Sequence, residues 1–224
     1  MLFELAKAGY KMIGYHENAD PPYAMIRHDI DLSPPLALPL AVVENALSIK
    51  TTYCFMVRSS AYNLFSKGSA AVVQKLLDLG HLVGLHFDCD SYPSVRTPAE
   101  IAAAVRVEVG MLEKWFGLDV SMVSFHKPNQ LILGGSQELT DPLPHAYMGK
   151  FLRGSAYFSD SYGFWRFGHP LRSNAFKDRK PLSLCCHPVW WGPEPTSPLL
   201  AMREVALQKK EDIRQYMLTN IVGV

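Results

Sequence analysis

At 224 residues, nearly half of them hydrophobic, the chain has material for a sizeable core in one generous domain or two small ones. Its 22 basic and 21 acidic residues leave a net charge of +1, so no strong field favours phosphate backbones or anionic lipid, and nucleic acid is not an expected partner. No segment approaches the roughly 18 uninterrupted apolar residues that a membrane span needs. Met1 to Tyr10 carries Glu4 and Lys7 and lacks a small-residue cleavage site, which argues against a secretory signal and for a cytoplasmic location.

The first strand pattern, Tyr23 to Ile26, runs into Arg27-His28-Asp29-Ile30-Asp31. Residues two apart on a strand point to the same side, so Asp29 and Asp31 are placed to converge on one ion or one reacting water. Pro34 and Pro35 then open a helical pattern, Leu36 to Ile49. The carboxylates therefore fall on a strand-to-helix loop, the place where α/β proteins put chemistry. Asp31 as a simple helix cap is the plainer alternative. His28 alternates away from the acid pair and reads as a packing or supporting residue.

Further β-rich runs follow at Thr51 to Val57, Leu82 to Leu85, Val120 to Phe125, Ser155 to Phe158 and Leu182 to Cys186. Helical patterns lie between them: Ser69 to Leu79, stopped by Gly80, and a helix from Thr97-Pro98-Ala99-Glu100 to about Trp115, opened by a capping box. A last helix is expected from about Leu199 to Leu218. Strands alternating with helices imply parallel pairing, right-handed crossovers and functional residues at the carboxyl ends of the strands. Asp29 and Asp31, His86 and Asp88, His126, Asp160 and His187 each follow or end such a run, so one mouth is expected to collect them. Pro128 to Arg153 and Gly163 to Pro181 are richer in Gly and Pro and read as loops around that mouth.

In Gly80 to Asp90, His86 ends a strand, and its imidazole with nearby carboxylates is a donor set for zinc or another first-row divalent ion. A helical turn after His86 brings Asp90 to its face, whereas an extended chain brings Asp88; Asp90 is preferred. Ser124-Phe125-His126-Lys127-Pro128 and Leu184-Cys185-Cys186-His187-Pro188 share one form, an apolar strand ending in His with Pro in the turn. His187 beside Trp190 and Trp191 suggests a general acid next to an apolar or sugar-stacking wall, with at least one of the two indoles in the core. The other histidines, His16, His81, His145 and His169, read as packing or surface residues. Cys54, Cys89, Cys185 and Cys186 form no C-x-x-C pair and read as small buried thiols. No G-x-G-x-x-G, P-loop or G-x-S-x-G is present.

Taken in order, these segments resemble the polysaccharide deacetylase superfamily, the NodB-like carbohydrate esterase family 4. The motifs are His28-Asp29-Ile30-Asp31, Gly80 to Asp90, Phe125 to Pro128, Asp160 with Trp165, and Leu184 to His187, together spanning Tyr23 to Trp191. The Arg-His-Asp-x-Asp start is most similar to an intracellular branch, some members of which accompany O-antigen or other surface-polysaccharide biosynthesis. The resemblance implies a single-domain α/β fold over residues 1–224, a distorted (β/α) barrel with mostly parallel strands. It also implies metal-dependent hydrolysis of an N-acetyl group, or an O-acetyl group, on a sugar or surface-polysaccharide precursor. Asp29 then corresponds to the catalytic base, Asp31 and His86 to metal ligands, and His187 to the acid that protonates the leaving amine. Asp90 takes the place of the family's second metal histidine. His126 falls where the family carries an Arg that orients the base, or completes the coordination shell; Asp160 falls on a supporting acid, and Trp165 and Trp190 on the substrate wall. A divalent ion, zinc first, is the implied cofactor and a carbohydrate the implied substrate. Hydrolysis of another amide, or a carbohydrate-binding protein that has lost the metal, are the alternatives.

Overall fold

A computed structural model of the chain describes residues 1–192, 194 and 196–222, apart from the side chains of residues 137 and 222. In chain order the elements are α1 (Leu2–Lys7), β1 (Lys11–Ile13), β2 (Tyr23–Ile30), α2 (Ala37–Ala46), β3 (Thr52–Phe55), α3 (Lys67–Asp78) and β4 (Leu82–Asp88). They continue with α4 (Pro98–Phe116), β5 (Val123–His126), α5 (Gly149–Gly154), β6 (Ala156–Ser159), α6 (Asn174–Lys177), β7 (Leu182–Cys186) and α7 (Pro198–Met217). Six strands lie in the order β5-β4-β3-β2-β7-β6, every neighbouring pair parallel. They form a curled half-barrel wrapped by helices, the distorted (β/α) barrel that the motif order implied.

All six strands overlap the predicted runs; α5, all but Gly154, and α6 lie inside stretches read as loops, and two further elements, α1 and β1, have no counterpart in the sequence reading. Both are short. β1 pairs Lys11 to Ile13 with Tyr23 to Met25, beside the part of β2 that β3, which pairs from Arg27 onward, leaves open. Helix α1 buries only Leu2 and Leu5, too few residues to show a period.

Alternation along the strands sorts residues between barrel interior and helix layer. Ala24 and Ile26 join Leu182, Leu184 and Cys186 in an apolar cluster with Leu2 and Leu5 of α1. Arg27, Asp29, Ser183 and Cys185 take the opposite face, and Tyr15 closes the barrel floor with its hydroxyl 2.8 Å from Ser183 Oγ. Gly84 of β4 is required there: a Cβ would come within 2.8 Å of Cys54 Sγ and 3.0 Å of the Met122 carbonyl. That close approach draws β3, β4 and the start of β5 together two residues before His86. Phe87 and Phe125, neighbours of the two histidines in sequence, are both buried and meet edge to face. Each stabilises the strand ends by about 1.5–3 kcal/mol.

Helix starts obey the residues that announce them. Thr97 and Glu100 form the reciprocal capping box of α4, and Gly117 ends it in the left-handed region at φ 65°. Ser66 caps α3, one turn earlier than the apolar pattern began. After β2, Ser33 occupies the N-cap position before a 3-10 turn, Pro34–Leu36, so Asp31 is free of a capping duty. Along α7 only Ala201 is buried, and Lys209 Nζ donates to the Ala61 carbonyl. No helix among the described residues is long and apolar enough to cross a membrane.

One buried charge behind the sheet carries a test. Glu108 sits on the core-facing stripe of α4 with Ile101, Val105 and Leu112, and accepts a 2.7 Å hydrogen bond from Tyr92 Oη. Burial pushes its pKa up to about 7, with Asp88 adding to the rise and the Tyr92 bond opposing it. A carboxyl with a raised folded pKa stabilises most below its unfolded value, 4.5, and that stability is lost as pH climbs to about 7. Glu108→Gln is therefore expected to remove a pH-dependent loss of about 3 kcal/mol between pH 5 and 8. Urea melts at the two pH values measure it; equal slopes for wild type and variant would contradict it.

Candidate active site and metal centre

Asp29 is the penultimate residue of β2 and Asp31 the first residue beyond it; His86 lies inside β4 and His126 ends β5. Asp160 follows β6 and His187 follows β7. Every one of these strands points the same way, so the six side chains meet at the carboxyl end of the sheet.

The centre of the group is Asp31. Its Oδ1 stands 3.1 Å from His86 Nε2 and 3.5 Å from His126 Nδ1, and its Oδ2 stands 3.8 Å from His187 Nε2. Donor atoms of Asp31, His86 and His126 lie within 4.8 Å of one another. Asp31 Oδ1 and both nitrogens of His86 are buried and make no hydrogen bond, although His86 Nε2 and Asp31 Oδ1 nearly touch. Buried polar atoms that crowd together without bonding are costly unless something else joins them. One carboxylate and two imidazoles with open positions are a donor set that a first-row divalent ion accepts, so the residues fit the implied metal. Burial opposes ionisation of Asp31, yet the imidazoles of His126 and His86 beside it hold its pKa well below the usual carboxylate range.

The structure does not bring Asp90 to this group. The chain after β4 enters a 3-10 turn, Cys89–Ser91, in which Asp88 caps with a 3.0 Å bond from the Asp90 backbone N–H. That turn sends the Asp90 side chain, 76% exposed, outward to within 3.9 Å of Lys127 Nζ. Asp88, the other candidate, is occupied by the cap. His126, and not Asp90, joins Asp31 and His86, and it is followed by Lys127 at a left-handed φ of 47° that turns the chain sharply away.

Asp29 is buried beneath this centre. Its Oδ2 accepts from Arg27 Nε at 3.2 Å, Ser124 Oγ at 3.0 Å and Cys185 Sγ at 3.2 Å. Oδ1 is left without a hydrogen-bond partner, 3.8 Å from His86 Nδ1. Burial alone would raise the pKa, but the Arg27 guanidinium, with His86 and His187, brings it down to about 2. Arg27 is fully buried and bonds also to Ser124 Oγ, Tyr15 Oη and Tyr147 Oη. It holds the carboxylate, a task the family resemblance put on His126. The signal was the same strand periodicity that paired Asp29 with Asp31: Arg27 is two residues before Asp29.

His187 is held from one side. Its Nδ1 lies 2.6 Å from Asp160 Oδ1, and its backbone N–H donates to both oxygens of that carboxylate at 3.0 and 3.1 Å. Trp191 Nε1 donates to Asp160 Oδ2 at 2.6 Å, so this indole fixes the supporting acid. Burial would lower the His187 pKa, but Asp160 outweighs it and the pKa is raised, with Asp29 and Asp31 adding to the rise. Nε2 remains free to face the mouth. Trp165 is half-buried and packs edge to face on Trp191, 6.1 Å between centroids, which makes it support for the wall. Trp190 is half-buried with its Nε1 unbonded.

His28 turns to the other side of the sheet, where its Nε2 bonds Glu44 Oε1 at 2.8 Å and Glu44 Oε2 accepts from Thr51 and Tyr53 hydroxyls. His81 bonds the Ala41 carbonyl and His145 the Ser136 carbonyl. These are packing histidines, as their positions implied. A larger cavity of about 240 Å³ lies on the same outer side, between α1, α2 and Trp191, but its lining is apolar apart from His28. The convergent polar groups mark the mouth as the candidate reactive place.

No family model and no curated protein matches the sequence. Solved structures are similar to it at low identity. The chain is similar to a family 4 acetyl xylan esterase from Clostridium thermocellum, described in complex with a cobalt ion, at 14% identity over 84% of each chain with a TM-score of 0.47. It is similar to a CE4 family pseudoenzyme from Bacillus anthracis at 11% identity over 87% of this chain and 63% of that one, TM-score 0.49. A chitin deacetylase from the fungal pathogen Colletotrichum lindemuthianum matches at 15% identity and a TM-score of 0.38, over 51% of this chain, and the match spans about half, 49%, of that chain.

Proposed function

We propose that this chain is a metal-dependent deacetylase of the polysaccharide deacetylase type. It hydrolyses an N-acetyl group on a sugar, with a cytoplasmic surface-polysaccharide precursor, O-antigen included, as the substrate class. The observation that carries this reading is the arrangement around Asp31: a three-donor set flanked by a buried carboxylate on one side and a carboxylate-held imidazole on the other.

Asp31, His86 and His126 would hold the ion, zinc first because two imidazoles and one carboxylate with an open position suit it. When bound, a divalent ion supplies polarisation of the acetyl carbonyl and a water whose pKa falls towards about 7. Asp29 keeps one oxygen fully engaged by three donors, so its unbonded Oδ1 is the atom that accepts a proton. A carboxylate this acidic is a weak base and acts only on water that is already activated. His187, with Nδ1 committed to Asp160, carries its transferable proton on Nε2. The raised pKa favours retention of that proton until the sugar amine departs and takes it. The products are acetate and a free amine.

Purified protein supplied with one equivalent of zinc is expected to release acetate from at least one member of a panel of N-acetylated monosaccharides, nucleotide sugars and oligosaccharides. Treatment with a chelator should abolish release, and zinc should restore it. No acetate from any member, or undiminished release from chelated protein, would overturn the proposal.

A further inference from the structure

We infer that the mouth holds a second cation site, formed by Asp29, Cys185 and His187, which takes thiophilic ions and shuts the enzyme when filled. The inhibitory part rests on the deacetylase reading, because the same residues are its base and its acid.

Donor atoms of these three residues lie within 4.8 Å of one another, a second set beside that of Asp31, His86 and His126. Cys185 and His187 are two apart at the end of β7, and the extended chain puts both on the interior face. Three further features point to an ion. Asp29 is 2% exposed and its Oδ1 has no hydrogen-bond partner, so an acceptor is left over in the buried wall of the set. His187 offers Nε2 while Asp160 binds Nδ1, the carboxylate–histidine arrangement that orients imidazoles towards metals. Asp31 spans the two sets, with Oδ1 3.1 Å from His86 Nε2 and Oδ2 3.8 Å from His187 Nε2. A carboxylate so placed suits two ions about 3.5–4 Å apart.

The sulfur decides which ions enter. Cys185 now points its thiol proton at Asp29 Oδ2, 3.2 Å away, and burial keeps it a thiol. On binding, the S–H bond breaks, the proton passes to buffer, and a sulfur–metal bond forms; the thiolate adds a negative charge to the site that offsets part of the ion's charge. Soft ions such as cadmium, or zinc in excess, gain most from that exchange. An occupant removes the free oxygen of Asp29 and the free nitrogen of His187 together.

Cadmium alone is the probe, added to protein already carrying one zinc. A second equivalent should bind with the ultraviolet charge-transfer absorption of a cadmium thiolate, and X-ray absorption should count one sulfur ligand on it. Acetate release should fall at least tenfold. In Cys185→Ser, and in Cys185→Ala, the absorption should vanish and the cadmium needed for half-inhibition of each variant's own rate should rise by roughly 10–100-fold. Cys89→Ser, which alters a half-buried thiol away from the mouth, should keep the absorption. Absence of a thiolate signal in wild type, or its survival in Cys185→Ser, overturns the inference while leaving the first metal set standing. A thiolate signal in protein that retains no first zinc and releases no acetate would support this site and defeat the deacetylase reading.

Discussion

Asp29→Asn is expected to lower kcat for acetate release by about 10²–10⁴-fold, the usual contribution of a positioned acid or base. The substitution keeps size and planar shape, so the bonds from Ser124 and Cys185 have a partner of similar form, and it leaves Asp31, His86 and His126 untouched. Zinc content should therefore stay at the wild-type level while turnover collapses. The amide has no oxygen able to take a proton at neutral pH. It also strips Arg27 of its carboxylate, so the measurement includes a thermal melt. A folded, zinc-loaded Asp29→Asn protein with wild-type kcat would remove Asp29 from the mechanism.

Arg27→Met carries the second large effect, and on stability rather than rate alone. Arg27 and Asp29 are both buried, so removing the cation leaves a carboxylate in a low-dielectric wall with no partner charge. Breaking such a pair costs about 3–5 kcal/mol. Its pH dependence has a definite sign. In the wild type Asp29 has a pKa of about 2 against an ordinary 3.8, so its contribution is present above about pH 4 and is lost as pH falls towards 2. In Arg27→Met the largest counterweight to burial is gone while His86 and His187 remain, so that pKa rises and the contribution shrinks. The stability gap between the two proteins should be widest near neutrality and narrow on acidification from pH 5 to 3, as chemical denaturation at each pH would read. A gap independent of pH would mean that Arg27 serves only as packing.

The polar positions at strand ends were legible because strand alternation and parallel topology are local and global rules that agree here. Asp29 with Asp31, and the His-Pro turns at His126 and His187, are readable from periodicity and one breaker residue. The third donor beside Asp31 and His86 is not readable from spacing. Whether the chain turns or stays extended after His86 depends on the Asp88 cap and the 3-10 turn, a local hydrogen bond that sequence spacing leaves undecided. Spacing leaves Asp90, Asp88 and His126 all open, and the turn separates them. The role of Arg27 is hidden for a different reason: its partners, Ser124 and Tyr147, come from segments distant in sequence. Trp191 was weighed only as wall or core, because its bond to Asp160 joins residues 31 positions apart.

In the proposed reading Asp31, His86 and His126 grip one ion. Zinc retained per chain after exhaustive dialysis, from a single-equivalent load, tests it most directly in wild type, His126→Ala and Asp90→Ala. The geometry predicts close to one zinc in wild type and in Asp90→Ala, and little in His126→Ala. Retention in His126→Ala together with loss in Asp90→Ala, or no retention in wild type, would contradict it.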